Sequence, residues 1–185
     1  MLLSILLIGV SLSMDAFAVS VTNGLTLKDF RLRHALWMGL YFGGFQFLMP
    51  LLGCLLGSTV SHYIMRFGPY ISFVLLGYIG VKMILDAVKS GEDDEAVQSL
   101  SHSRLFALAV ATSIDALAVG VSFAFSPPSP GIWLSCALIG CTTFVLTLLA
   151  AVLGSRFSLH PRKAGILGGA VLLCIGVKLL LEGIL

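Results

Sequence analysis

The chain has 185 residues, of which 58% are hydrophobic and 11% are charged, and its formal net charge is +2. Soluble domains are about one quarter charged, and a fold of this size has too little interior to hide so much apolar surface. The composition therefore excludes an ordinary soluble domain and indicates that a lipid bilayer surrounds most of the chain. The small net charge gives no reason to expect a nucleic-acid partner.

Apolar runs that are long enough to cross a bilayer need about 20 residues. Such runs predict six spans in chain order, over residues 2–22, 34–57, 68–88, 104–125, 132–154 and 164–184. The first run lacks a basic start and contains an acid, so we interpret it as a retained helix and not as a signal peptide. Between the runs, Asn23-Gly24, Gly68-Pro69 and the proline-rich segment 126–131 are turn and helix-breaker signals.

The polar segments between the spans predict an orientation. The loops after the first, third and fifth spans together hold eight Lys and Arg residues, whereas the other two loops hold one. Basic loops remain in the cytoplasm, so we predict a multi-pass protein with its N- and C-termini outside. The longest polar run, 89–103, contains the acidic cluster Glu92 to Glu95 and predicts a solvated cytoplasmic linker.

The second half of the chain repeats the first. The segment SMDAFAVSV at 13–21 matches SIDALAVGV at 113–121, with six of nine positions identical. Two shorter matches follow in the same order, Leu56-Gly57-Ser58 with Leu153-Gly154-Ser155 and GVKMILD at 80–86 with GVKLLLE at 176–182. Because each copy contains an odd number of spans, the second copy enters the membrane in the opposite direction.

This pattern predicts an all-α integral membrane protein with six transmembrane helices that form two inverted-topology three-helix repeats. We assign the first repeat to residues 1–88, the linker to 89–103 and the second repeat to 104–185. Inverted repeats are typical of secondary transporters, whose substrate sites lie near the membrane midplane at the repeat interface.

Asp15 and Asp115 lie near the middle of the first and fourth spans. An ionised carboxylate there costs about 2.5–3.5 kcal/mol, so an intramembrane acid is by default a functional residue. The alternative is an inert acid that is neutral or paired, but no Lys or Arg lies at a matching depth in the sequence. Small neighbouring residues allow the two helices to approach, so the aspartates could together form an oxygen-rich site for a hard divalent cation such as Mg²⁺, Ca²⁺ or Mn²⁺.

Several polar residues are candidates for lining this site. Gln46 precedes Pro50, whose ring frees a backbone carbonyl group, and Thr143 lies in the corresponding part of the fifth span; interhelical hydrogen bonding is the alternative role for both. Further candidates are the hydroxyl residues Ser11, Ser13, Thr112 and Ser113. We interpret Lys82–Asp86 and Lys178–Glu182 as ion pairs near helix ends, with a role in transport as the less favoured reading.

The chain resembles the bacterial manganese efflux pump family MntP, within the wider LysE-type exporter superfamily. The resemblance covers essentially the whole chain and rests on SMDAFAVSV at 13–21, FGGFQFLMPLLG at 42–53, ATSIDALAVGV at 111–121 and the acidic linker. It implies export of Mn²⁺ across the bacterial cytoplasmic membrane, with Mn²⁺ as a substrate and no permanently bound cofactor. It also implies that Asp15 and Asp115 are essential, whereas the position of Gln46 can hold Gln or Glu among relatives, so its ligand role stays open.

We expect a transporter and not an enzyme. The chain has no Walker motif, so ATP is not the direct energy source and we expect a secondary active transporter. Burial favours a protonated carboxyl group and a bound cation favours the carboxylate, so proton coupling is a further hypothesis. The alternatives are export of another divalent cation or of an amino acid and, more distantly, an intramembrane aspartyl protease. That protease class carries a G-x-G-D element, whereas these aspartates lie in S-M-D-A and S-I-D-A. The sequence predicts no particular oligomeric state.

Overall fold

The computed structural model of the chain describes residues 2–27, 30–89, 101–128, 131–156 and 161–184. These residues form α1 (Leu2–Thr26), α2 (Leu32–Lys89), α3 (His102–Ala111), α4 (Ile114–Phe125), α5 (Ile132–Arg156) and α6 (Pro161–Ile184). The prediction of an all-α fold is confirmed. Most of the predicted linker, including its acidic cluster, lies outside the described residues.

Helix α2 is broken at Gly57, where the backbone has φ 48° and ψ −136°. A positive φ of this kind is accessible to glycine at little cost. We name the two segments α2a (32–57) and α2b (58–89). The loop expected at 58–67 and the break expected at Gly68-Pro69 are wrong, since the backbone is helical through both and the single glycine makes the break instead.

The predicted span 104–125 is not one straight helix. It is divided at Thr112 and Ser113 into α3 and α4, which are bent by 45° relative to each other. Three helices in the described part of the chain are long and apolar enough to cross a membrane, Leu2–Thr26, Leu32–Gly57 and Ile132–Arg156, and the bent pair α3–α4 makes a fourth. The remaining two predicted spans correspond to shorter apolar stretches, Tyr70–Leu85 and Ile166–Lys178, so six spans remain a prediction.

The helices pack into one bundle with an apolar interior and an apolar exterior. Helix α1 packs on α5 and α6, and α2 packs on α3, α4, α5 and α6. The largest fully buried apolar side chains include Phe42, Met38, Leu76, Leu108 and Leu172. Large apolar side chains also cover the outside, where Leu3, Leu55 and Trp133 are 69%, 82% and 73% exposed. An apolar exterior of this kind requires lipid as its solvent, so the chain is a multi-pass membrane protein.

Glycines allow the helix backbones to approach each other closely. A methyl group at Gly24 of α1 would overlap the Ala151 carbonyl group of α5, and one at Gly120 of α4 would overlap the Pro50 carbonyl group of α2a. The packing at Gly24 also explains why α1 continues through the expected turn at Asn23-Gly24 to Thr26. The close approach expected between the first and fourth spans is thus found between α1 and α5 and between α4 and α2a.

One contact at the centre of the bundle is reciprocal between the two halves. A Cβ atom on Gly43 would lie 2.9 Å from the Gly140 carbonyl oxygen and 2.9 Å from the Phe144 Cβ. A Cβ atom on Gly140 would lie 2.9 Å from the Gly43 carbonyl oxygen and 2.9 Å from the Phe47 Cβ. The same sequence offset of 97 relates Gly43 to Gly140 and Phe47 to Phe144. The two halves therefore contact each other through equivalent residues at this point.

A second reciprocal contact joins α2b to α6. Gly80 faces Gly169, and Gly176 faces Phe73. Adding 96 to a residue number in the first half gives the equivalent position in the second half, so residue 80 corresponds to 176 and residue 73 to 169. Exchanging the two halves therefore turns the contact of Gly80 with Gly169 into the contact of Gly176 with Phe73.

Candidate metal-binding site

Asp15 lies near the centre of the bundle because α1 carries it there. The helix has 25 residues, and Asp15 is one position past its midpoint. Its carboxyl group is on the inner face of α1, where the residue is only 7% exposed. Helix α1 is uninterrupted at this point, so Asp15 belongs to a rigid element that is long enough to cross the bilayer.

Asp115 occupies a different local structure, because it is the second residue of α4. In an uninterrupted helix the N–H group of Ala116 would donate to the carbonyl group of Thr112, four residues earlier. The break prevents this bond, and Ala116 N–H donates instead to Asp115 Oδ1 at 2.8 Å. The carboxylate is therefore positioned at a helix N-terminus, which stabilises negative charge.

The carbonyl groups that the break frees are bound by side chains from α2. Ser72 Oγ of α2b donates to the Ala111 carbonyl oxygen at 3.0 Å. Gln46 Nε2 of α2a lies 3.5 Å from the Thr112 carbonyl oxygen. Buried carbonyl groups are costly when they lack partners, so these two side chains stabilise the break in the interior.

Gln46 connects α1 with the break that precedes α4. Its side chain is fully buried, and Nε2 also donates to the Leu12 carbonyl oxygen at 2.8 Å. Leu12 and Thr112 each lie three residues before an aspartate, so one amide group holds equivalent positions in both copies of the motif. Its other polar atom, Oε1, is buried and has no hydrogen-bond partner among the described residues, and the same is true of Ser113 Oγ.

The remaining predicted residues divide into two groups. Ser13 Oγ lies 2.8 Å from Thr143 Oγ1, and each hydroxyl group also bonds a carbonyl group of its own helix. Thr112 Oγ1 likewise donates to the Leu108 carbonyl oxygen at 2.9 Å. These three buried hydroxyl groups are already used in hydrogen bonds, whereas Ser11 is exposed on the outer side of α1.

Lys178 lies beside Asp15, a position that the sequence pattern does not predict. Its Nζ lies 3.4 Å from Asp15 Oδ1, and the Lys178 and Asp15 side chains are 53% and 10% exposed. The expectation that no cation lies at the depth of the aspartates is therefore wrong, because position along a helix does not account for offset and tilt between helices.

The sequence did contain a signal for this lysine, since GVK occurs at corresponding positions of both repeats. The i,i+4 spacing instead predicts an ion pair of Lys178 with Glu182, whose side chain lies outside what the structure describes, as does that of Asp86. Among the described residues no group of three or more His, Cys, Asp and Glu side chains could hold a metal ion. A cation at this site would therefore depend on two carboxylates with neutral oxygen ligands.

An apolar helix bundle with interior carboxylates beside a broken helix defines a multi-pass membrane protein with a polar centre, as transporters have. Residues 29–180 match the family described as "Putative manganese efflux pump". The chain belongs to this manganese efflux pump family, MntP. The family consists of transporters and not of enzymes, so the protease alternative is excluded.

Curated relatives cover nearly the whole chain and carry the name "Putative manganese efflux pump MntP". The protein of Methanosarcina mazei is 49% identical over 95% of this chain and 94% of its own length. The protein of Clostridium perfringens is 43% identical over 98% and 94%, and that of Methanosphaera stadtmanae is 39% identical over 97% and 99%. No solved structure matches the chain.

Proposed function

We propose that this protein is a secondary active transporter that exports Mn²⁺ from the cytoplasm through a site at the centre of the bundle. The observation that carries the proposal is that the buried Gln46 amide group bonds the backbone three residues before each aspartate, at Leu12 and at Thr112. The names of the family and of the relatives support the identity of the ion and the direction of transport.

Four oxygen-bearing side chains are the proposed ligands. Asp15 and Asp115 supply the charge that a divalent cation needs, and Gln46 Oε1 and Ser113 Oγ supply neutral oxygen atoms that hydrogen bonds in the described structure do not use. Carboxylate, amide and hydroxyl oxygens suit Mn²⁺, Mg²⁺ and Ca²⁺ better than thiophilic metals. Backbone carbonyl groups at the end of α3 add to this character, as the ends of broken helices do in other transporters.

The reciprocal glycine contacts support the inverted repeat. A two-fold axis between Gly43 and Gly140 would exchange α2a with α5, α1 with the α3–α4 pair, and α2b with α6. The same operation would exchange the contact of Gly80 with Gly169 for that of Gly176 with Phe73. In this arrangement both aspartates would lie close to the axis, where an alternating-access transporter holds its substrate.

We further propose that the protein lies in the cytoplasmic membrane with both termini outside. The support is the distribution of basic residues, since the loops after the first, third and fifth predicted spans hold eight Lys and Arg residues. Export then moves Mn²⁺ from the side that carries these loops to the side that carries the termini.

The test is Mn²⁺ uptake into inside-out membrane vesicles, in which an exporter fills the vesicle lumen. Asp15→Asn and Asp115→Asn keep the size of the side chain and remove its charge, so each should reduce uptake to the level of empty vesicles. Asp93→Asn, in the linker, is the charge-matched control and should transport normally. If either site variant retained wild-type uptake, the proposed site would be wrong; a wild-type protein that moved another divalent cation or an amino acid in place of Mn²⁺ would refute the proposed substrate.

Proton coupling is part of the proposal, because the same carboxyl groups could bind either the ion or protons. An acidic vesicle lumen should then accelerate Mn²⁺ uptake, and a protonophore should remove this acceleration. Uptake that is indifferent to both treatments would leave Mn²⁺ transport intact and refute the coupling.

A further inference from the structure

We propose that the Lys178 ammonium group is a tethered competitor of the transported cation, which occupies Asp15 when no metal is bound and is displaced when Mn²⁺ enters. This inference rests on the proposed function, because it assigns a role to a residue beside the proposed Mn²⁺ site. It adds a cationic side chain of α6 to a site otherwise built from α1, α2 and α4.

The geometry places the lysine where an incoming cation would bind. Lys178 Nζ lies 3.4 Å from Asp15 Oδ1, within ion-pair distance. Gln46 and Ser113 provide neutral oxygens on the side of α2 and α4, and Lys178 approaches Asp15 from α6.

The charges explain why the ammonium group must leave. Two ionised carboxylates and one ammonium group sum to one negative charge, and adding a divalent cation would leave one positive charge in a low-dielectric interior. Two carboxylates with the divalent cation alone are neutral. Because uncompensated charge inside a membrane protein is costly, occupation by Mn²⁺ and occupation by Lys178 should exclude each other.

Lys178 has a route out of the site. Its side chain is 53% exposed, whereas that of Asp15 is 10% exposed, so the pair lies at the boundary of the interior. The residue ends the apolar stretch Ile166–Lys178, and about 9 Å of helix separates it from Ile184. A lysine near a helix end can extend its charged group towards the membrane interface, and on its return the ammonium group would help to expel the metal.

The first test measures Mn²⁺ binding to the purified full chain in detergent, from the loss of the electron paramagnetic resonance signal of free Mn²⁺. Lys178→Gln should lower the Kd about fivefold, the factor expected when an ion pair of about 1 kcal/mol no longer competes. It should also slow Mn²⁺ transport at saturating concentration, because the group that promotes release is missing. Lys178→Arg keeps the charge and should restore competition with Mn²⁺ relative to Lys178→Gln. Lys163→Gln, which removes an exposed charge from the same helix, should bind Mn²⁺ like the wild type.

A second measurement uses the wild-type chain and does not depend on whether a variant folds. Acetylation of Lys178 by a water-soluble amine reagent, followed by mass spectrometry, should become faster when Mn²⁺ is added, while acetylation of Lys163 stays constant. A Kd that is unchanged or raised in Lys178→Gln, or acetylation of Lys178 that is unchanged or slowed by Mn²⁺, would overturn the inference.

Failure of this inference can be separated from failure of the proposed function. If wild-type protein binds Mn²⁺, and Asp15→Asn and Asp115→Asn abolish the binding, the proposed site stands whatever Lys178→Gln does. If the wild type binds no Mn²⁺, or if these two variants bind it normally, the proposed function fails and the competitor role fails with it.

Discussion

Single hydroxyl groups around the site differ in how many hydrogen bonds they already make. Ser13 and Ser113 occupy equivalent positions, each two residues before an aspartate. Ser13 Oγ contacts Thr143 Oγ1 and the Gly9 carbonyl oxygen, whereas buried Ser113 Oγ has no partner among the described residues. The Ser113 hydroxyl group can therefore turn its oxygen towards a cation freely, whereas the Ser13 hydroxyl group is held in place by its two contacts.

This difference predicts opposite consequences for two equivalent substitutions. Ser113→Ala should weaken Mn²⁺ binding several-fold and leave the thermal unfolding midpoint nearly unchanged. Ser13→Ala should cost about 1 kcal/mol of stability through its lost hydrogen bonds and change Mn²⁺ affinity less. Titration of Mn²⁺ and thermal unfolding of both variants in detergent would check this; equal losses of affinity would show that Ser113 is not a special ligand.

The sequence predicts interior positions for the aspartates and Gln46, since a lone carboxylate or amide in an apolar run has few alternatives; Asp15 and Gln46 are buried, and Asp115 is half-buried. It could not indicate which oxygen atoms stay available, because that depends on distances between helices that are far apart in the chain. Lys178 shows the same limit. Its partner Asp15 is 163 positions away, and the nearer Glu182 offered an adequate local explanation.

The helices differ from the predicted spans mainly in where they break. Proline and glycine signals at Asn23-Gly24 and Gly68-Pro69 do not interrupt the helices, whereas Thr112 and Ser113, which carry no such signal, divide α3 from α4. The reason is tertiary, since Ser72 and Gln46 supply the hydrogen bonds that make this break stable in the interior. Local helix propensity predicts the position of a helix break poorly where hydrogen-bond partners from another helix determine whether the break is stable.

The packing of α4 on α2a gives a prediction for stability. A methyl group at Gly120 would overlap the Pro50 carbonyl group, and Gly44, also on α2a, has open space around it in the described structure. Gly120→Ala should therefore lower the free energy of unfolding by about 1–3 kcal/mol, while Gly44→Ala should be neutral or slightly stabilising. Thermal unfolding in detergent would measure both, and an equally stable Gly120→Ala would contradict the close contact.

The two halves of the molecule make a reciprocal contact at Gly43 and Gly140, where a Cβ atom on either glycine would meet the same two kinds of atom at 2.9 Å. Gly43→Ala and Gly140→Ala should therefore lower the unfolding midpoint by similar amounts, since each inserts a methyl group against the same two kinds of atom. The double variant should lower the unfolding midpoint by less than the sum of the two single effects, because both substitutions act on one contact. Gly77→Ala, with no described atom within 4 Å, is the control; a large difference between the first two variants would argue against the two-fold relation.

The proposed orientation can be tested on the intact protein. Alkaline phosphatase, which is active only outside the cytoplasm, should be active when fused after residue 185 and inactive when fused within the linker 89–103. Green fluorescent protein should give the opposite pattern at the same two positions. An active phosphatase in the linker would reverse the predicted orientation.

The break between α3 and α4 has an energetic consequence when it is set beside the uninterrupted α1. If the two-fold relation holds, the chain could become continuously helical at 112–113 while α1 breaks at the equivalent residues 12–13. The number of backbone hydrogen bonds would then not change. Two such forms would then differ mainly in the side-chain hydrogen bonds that Ser72 and Gln46 make at the present break. A ligand that prefers one form by only about 1–3 kcal/mol would then shift the ratio of the two populations between about 5- and 150-fold.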